Sequence, residues 1–182
     1  MSKASTFTDD ILAFWFDELT PQDWYRFDPG LDDRIRERFG ALHEQVSAST
    51  PPDALDSTDT ALATLIVLDQ FSRNLYRGHA RAFAQDAAAR QITDGVIDRG
   101  LDTDVPWDRR AFLYMPLMHS ETLADQQRSV ALFAGTRSHE YAVKHRDIIA
   151  EFGRFPYRNE CLGRPNTAAE DEWLKTGESF GQ

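Results

Sequence analysis

The sequence predicts an all-α fold of antiparallel helix pairs, stacked as a compact bundle or a short α-solenoid. Apolar residues recur at three- and four-residue steps, as at Leu31, Ile35, Phe39, Leu42 and Val46. No stretch shows the sustained apolar–polar alternation with β-branched enrichment that marks a half-buried strand. Connections between the periodic segments are short, which favours antiparallel neighbours.

The opening helix carries Ile11, Leu12, Phe14, Trp15, Phe16 and Leu19 on its apolar face and stops before Thr20 and Pro21. The second spans Leu31 to Val46, with Arg, Asp and Glu between its apolar positions. The run SASTPPDALDSTDT from Ser47 is rich in Ser, Thr, Asp and Pro and reads as a loop. Helices are expected over about Thr60 to Tyr76, Asp86 to Arg99 and Trp107 to His119, with Pro116 kinking or ending the last of these. Two more should cover Leu123 to Phe133 and Ser138 to Phe152. A final helix is announced by Thr167 with Glu170 three residues on, a capping-box signature.

The chain has 182 residues, 41% of them hydrophobic, so a single domain over 1–182 with a proper core is the expectation. One cysteine, Cys161, rules out an intramolecular disulfide and a Cys-rich metal site. The N-terminus lacks the apolar core of a signal peptide, and no segment approaches the length of a membrane span. A cytoplasmic protein is expected. The net charge of -10 disfavours a hold on nucleic-acid phosphates. Yet 17 of the 20 basic residues are arginines, whose planar fork suits carboxylates and phosphates. Arginine codon bias accounts for much of that count, so position must decide.

Three apolar segments run into polar clusters. ALATLIVL, residues 61–68, is apolar nearly all round and turns into Asp69, Gln70, Arg73, Asn74 and Arg77. On a regular helix Asp69, Arg73 and Arg77 share one row, with Gln70 and Asn74 beside it. AFLYMPLM, residues 111–118, leads into His119, Ser120, Glu121, Asp125 and Gln126. Ile148, Ile149 and Ala150 lead into Arg154, Tyr157, Arg158 and Asn159. The first and third clusters share a skeleton, Phe-x-Arg-x-x-Tyr-Arg, which predicts that Arg73, Arg77, Arg154 and Arg158 converge.

Buried polar groups need partners. One reading is an internal ion-pair clamp between these arginines, with Arg164, and Asp69, Glu121, Asp125, Glu151 and Glu160. The other is a cleft in which Asp69, Arg73, Asn74, Arg77, Arg154, Arg158 and Asn159 take a small anion or a peptide carboxylate. An enzyme, hydrolase-like, is the alternative, with His119 handling protons beside Glu121 or Asp125. His139 and His145 are six apart, a spacing that builds no metal site, and neither a metal nor a cofactor is expected. No nucleophile elbow, Walker loop or dinucleotide fingerprint is present. Cys161 stands near arginines as a possible thiolate.

The runs LDQFSRNLYRG, RAFAQD, FLYMPLMHSE with a nearby DQ, and FGRFPYRNECLGR, in this order, resemble the bacterial family called domain of unknown function 924. The resemblance extends from FWF near the start to the closing helix, and implies an all-helical, tetratricopeptide-like fold with no assigned activity. The family form Phe-Pro-His-Arg-Asn is Phe155-Pro156-Tyr157-Arg158-Asn159 here. Tyr157 restricts that position to hydrogen bonding or stacking.

Overall fold

The computed structural model describes residues 7–177 and Phe180, and among these the fold is all-helical with no strand. Helix α1, Phe7–Ala13, widens into a π-helical turn over Phe14–Glu18. Helix α2, Pro29–Ala48, is capped by Asp28, whose carboxylate accepts from the Gly30 amide at 2.9 Å. Pro29 at its first position gives up an amide that has no intrahelical partner there. Helix α3, Thr58–Leu65, is capped by Ser57 and continues without a break through a π-helical stretch, Ile66–Phe71, into α4, Ser72–Leu75. The expected helix from Thr60 to Tyr76 is thus one rod, with an expanded turn that no sequence period announces.

Helix α5 spans Asp86–Asp98, α6 Trp107–Met118, α7 Leu123–Leu132, α8 His139–Phe152 and α9 Ala168–Leu174. Pro116 does not stop α6, which runs two residues further before ending at His119. Gly153 takes φ of 69° at the end of α8, a left-handed cap that suits glycine. The Thr167 and Glu170 capping box is formed. No described helix is long and apolar enough to cross a membrane.

The rod of α3 and α4 is the central element: residues 61–68 are buried on every side. Phe71 stacks on Phe39 at 5.3 Å and meets Trp15 edge-on at 5.7 Å. Trp15 in turn meets Phe112 of α6 at 5.6 Å. This aromatic cluster fixes the rod against α6 and sets the ends of both buried helices side by side. Ile148, Ile149 and Phe155 form a second, smaller core with Phe152, Tyr157 and Trp173.

Candidate functional site

The site begins with the π-helical stretch. An expanded turn withholds the usual amide from some carbonyls. Side chains from the next turn satisfy them: Ser72 Oγ donates to the Leu68 carbonyl at 2.6 Å and Arg73 Nη1 to the Asp69 carbonyl at 2.7 Å. The Asp69 carboxylate, fully buried, then faces the end of α6. There it accepts from His119 Nδ1 at 2.8 Å, from Arg73 Nη1 at 2.9 Å and from Gln70 Nε2.

Burial alone would raise the Asp69 pKa, but the Arg73 charge, with the His119 and Gln70 hydrogen bonds, outweighs it and holds the carboxyl at about 2. An ionised carboxylate only accepts, so His119 carries its proton on Nδ1 and offers Nε2 as a bare acceptor. Burial, reinforced by Arg73 and opposed by Asp69, pushes the His119 pKa down and favours the neutral ring. The expected acidic partners lie elsewhere. Glu121 is held by Arg164 at 2.7 and 2.9 Å and by the Phe155 amide. Asp125 accepts from Ser120 at 2.8 Å and from Arg90 at 3.1 Å. The chain turns where α6 ends, so proximity in sequence does not bring either acid onto the imidazole.

His119 forms the floor of a cleft of about 490 Å³ between the Pro21–Phe27 loop, α4, the end of α6 and the start of α8. Arg26, Arg73, Arg77 and Arg137 line it with His119 and His145, and no described lining residue is a carboxylate. Trp24, Tyr25, Phe27 and Tyr141 supply aromatic walls, and Met115 and Met118 face them. A second cavity of about 290 Å³, bordered by Asp86, Arg90, Glu121 and Arg158, lies on the other side of His119.

The four arginines of the two skeletons do not all converge. Arg73 and Arg158 meet on Asp86, at 3.1 and 3.2 Å, and Arg158 Nη1 also holds the His119 carbonyl at 3.1 Å. The Arg158 guanidinium is sandwiched between the Phe83 and Phe155 rings, 4.4 and 4.5 Å from their centroids. Arg77 instead binds Asp32 of α2, together with Asn74 at 2.7 Å. Arg154 pairs with Glu170 at 2.6 and 2.8 Å and stays outside the cleft lining. Asn159 is buried and spends its amide on Asn166 and Arg164. The shared skeleton therefore takes two backbone forms. The first copy is helical, whereas the second breaks at Gly153 and coils into a 3-10 turn over Pro156–Arg158.

Arg73 Nε, Arg158 Nε and Nη2, and the Tyr157 hydroxyl are buried without a well-formed hydrogen bond. Burial raises the Tyr157 pKa to about 12, so the hydroxyl stays protonated. His145 donates Nδ1–H to the Tyr141 carbonyl at 2.8 Å, and burial, with His119, Arg158 and Arg73 nearby, pushes its pKa down to about 3. Cys161 gives its thiol to the Arg158 carbonyl at 3.2 Å, and burial raises its pKa, the reverse of thiolate activation. Among the described residues no group of three or more His, Cys, Asp or Glu side chains is placed to hold a metal ion. Asp86, Asp32 and Arg137 escaped the sequence reading as site residues, since each sits in an ordinary helix start or connection, and Glu170 was read only as a cap and not as the partner of Arg154.

Fold and site together define an all-helical protein whose central rod and α6 end in an Asp–His pair beneath an arginine-lined cleft. The chain matches the family described as "Bacterial protein of unknown function (DUF924)" over residues 11–178, and belongs to that family. It is also similar to the solved structure of ATU0120, a protein of unknown function from Agrobacterium tumefaciens. The two are 37% identical, with a TM-score of 0.88 over 93% of this chain and 97% of that one. No curated protein matches the chain.

Proposed function

We propose that the chain binds a small organic anion in the 490 Å³ cleft. The observation that carries this is a lining of four arginines and no described carboxylate, in a protein of net charge -10. Asp69, Asp86 and Asp32 pair with Arg73 and Arg77 from behind the lining, so the attraction for an anion comes from the guanidinium donors at the surface of the cleft and from the charge of Arg137. The aromatic and methionine walls suit an apolar portion of the ligand, and the volume is in the usual range for small-molecule sites. Arg137 is the group best placed to test this, because it is exposed and has no ion pair among the described residues. Calorimetric titration of carboxylates and phosphates into wild type and Arg137→Ala is the experiment. Saturable binding that weakens in the variant supports the reading. Heats that do not saturate for any anion contradict it.

A second reading is favoured by the Asp69–His119 hydrogen bond: the bound anion is a substrate, and His119 Nε2 is the general base. Asp69, and not Glu121 or Asp125, is the acid beside His119, and it orients the ring. Among the described residues no serine or cysteine is hydrogen-bonded to His119, so direct proton transfer or activation of water is the chemistry the pair suits. Turnover lost in His119→Gln, with anion binding retained, is the expected signature.

A further inference from the structure

His119 and His145 both line the cleft, with ring centroids 6.4 Å apart. Their Nδ1 atoms are each 2.8 Å from an oxygen that can only accept: the Asp69 carboxylate for His119 and the Tyr141 carbonyl for His145. Both rings therefore carry the proton on Nδ1, and in the neutral ring Nε2 is a bare acceptor. Neither Nε2 has a hydrogen-bond partner among the described residues. Two rings with an unpartnered acceptor thus line one cavity whose charged lining is otherwise made of donors.

A ligand that fills this place must bring a donor to it, because an acceptor buried without one costs as much as a missing bond. The donor has two common chemical forms. An ammonium would sit among Arg26, Arg73, Arg77 and Arg137 with no described carboxylate in the lining to balance it. A hydroxyl carries no such penalty. Resting on the anion-binding reading above, the geometry points to a hydroxylated organic anion as the ligand, its hydroxyl donating to Nε2 of His119 or His145 and its acidic group facing the arginines. The same contact makes that hydroxyl the proton His119 is placed to remove, if the ligand is a substrate.

The test uses matched triples that differ only at one substituent, titrated into the full chain by calorimetry: 3-phenyllactate, 3-phenylpropionate and phenylalanine; glycolate, acetate and glycine; glycerol 3-phosphate, propyl phosphate and 3-aminopropyl phosphate. The expected result is that in at least one triple the hydroxy member binds at least tenfold more tightly than both others, a difference on the scale of one hydrogen bond. That ratio should collapse in His119→Phe while the deoxy member still binds. Should His119→Phe fail to fold, the ratio in wild type stands as the test alone. Deoxy members binding as tightly as hydroxy members, or amino members binding best, would overturn this inference and leave anion binding intact. If no member of any triple binds, both the inference and the reading beneath it fail.

Discussion

Asp69 and His119 lie 50 positions apart in the chain and meet through a 2.8 Å hydrogen bond in the interior. The bond sets the tautomer of the one imidazole that borders both cavities. Asp69→Asn keeps the shape, but its amide can turn a donor toward Nδ1, which moves the ring proton to Nε2. The substitution also leaves Arg73 without its closest carboxylate. A loss of about 3 to 5 kcal/mol in denaturant unfolding is expected, together with a change of tautomer visible in the ring nitrogen signals of His119.

Arg73→Ala and Arg154→Ala should separate binding from stability. Arg73 is buried between Asp69 and Asp86, so its removal leaves buried Asp69 with no full positive charge beside it and Asp86 with Arg158 alone, and costs about 3 to 5 kcal/mol. The Arg154 side chain is 27% exposed, and its partner Glu170 also accepts from the Thr167 amide. A smaller loss is expected there. Melting curves with and without a bound carboxylate check the distinction: only Arg73→Ala should lose the ligand-induced rise.

Acid should destabilise the fold in two stages. Burial holds the folded His145 pKa at about 3, below the ordinary imidazole value of about 6.5, so the unfolded chain binds a proton that the folded ring refuses between those limits. Stability falls as pH drops through that window, by about 1.4 kcal/mol per unit for one proton. His119 and the Arg73 and Arg158 guanidiniums that face His145 oppose its protonation. Asp69 adds a second loss as pH falls from about 4 towards 2, where its stabilising charge disappears. Unfolding free energies between pH 7 and 4 should show a shallower slope in His145→Gln than in wild type.

Helix spans were largely legible because their signals are local. Periodicity places α5 to α8 within a residue or two, and Thr167 with Glu170 marks the start of α9. The three polar clusters were legible for the same reason, as abrupt ends of apolar runs. Their pairing was not. Glu121 and Asp125 follow His119 in sequence, but the turn after Met118 sends them to Arg164 and Arg90. Identical spacing in the two arginine skeletons suggested one geometry, whereas Gly153 rotates the second copy out of helical register and sends Arg154 to Glu170. The π-helical turn that aims Asp69 at His119 leaves no period in the sequence.

Removing the anion site should leave the fold intact. Arg137→Ala changes an exposed side chain with no ion pair among the described residues, so its melting temperature without ligand should match wild type. A wild-type rise of about 2.7 kcal/mol at a hundredfold excess of anion over its dissociation constant should shrink in the variant. Thermal unfolding over a concentration series checks both.

The central claim is that an anion binds with His119 and His145 at its contact surface. Imidazole nitrogen spectra recorded while the tightest-binding anion is titrated into the full chain test it most directly. His119 and His145 signals should shift in a saturable way with the calorimetric dissociation constant, while His43, buried 2.8 Å from Ser72, stays unchanged. An anion that saturates the protein without moving the His119 and His145 signals would place its site elsewhere and contradict the account.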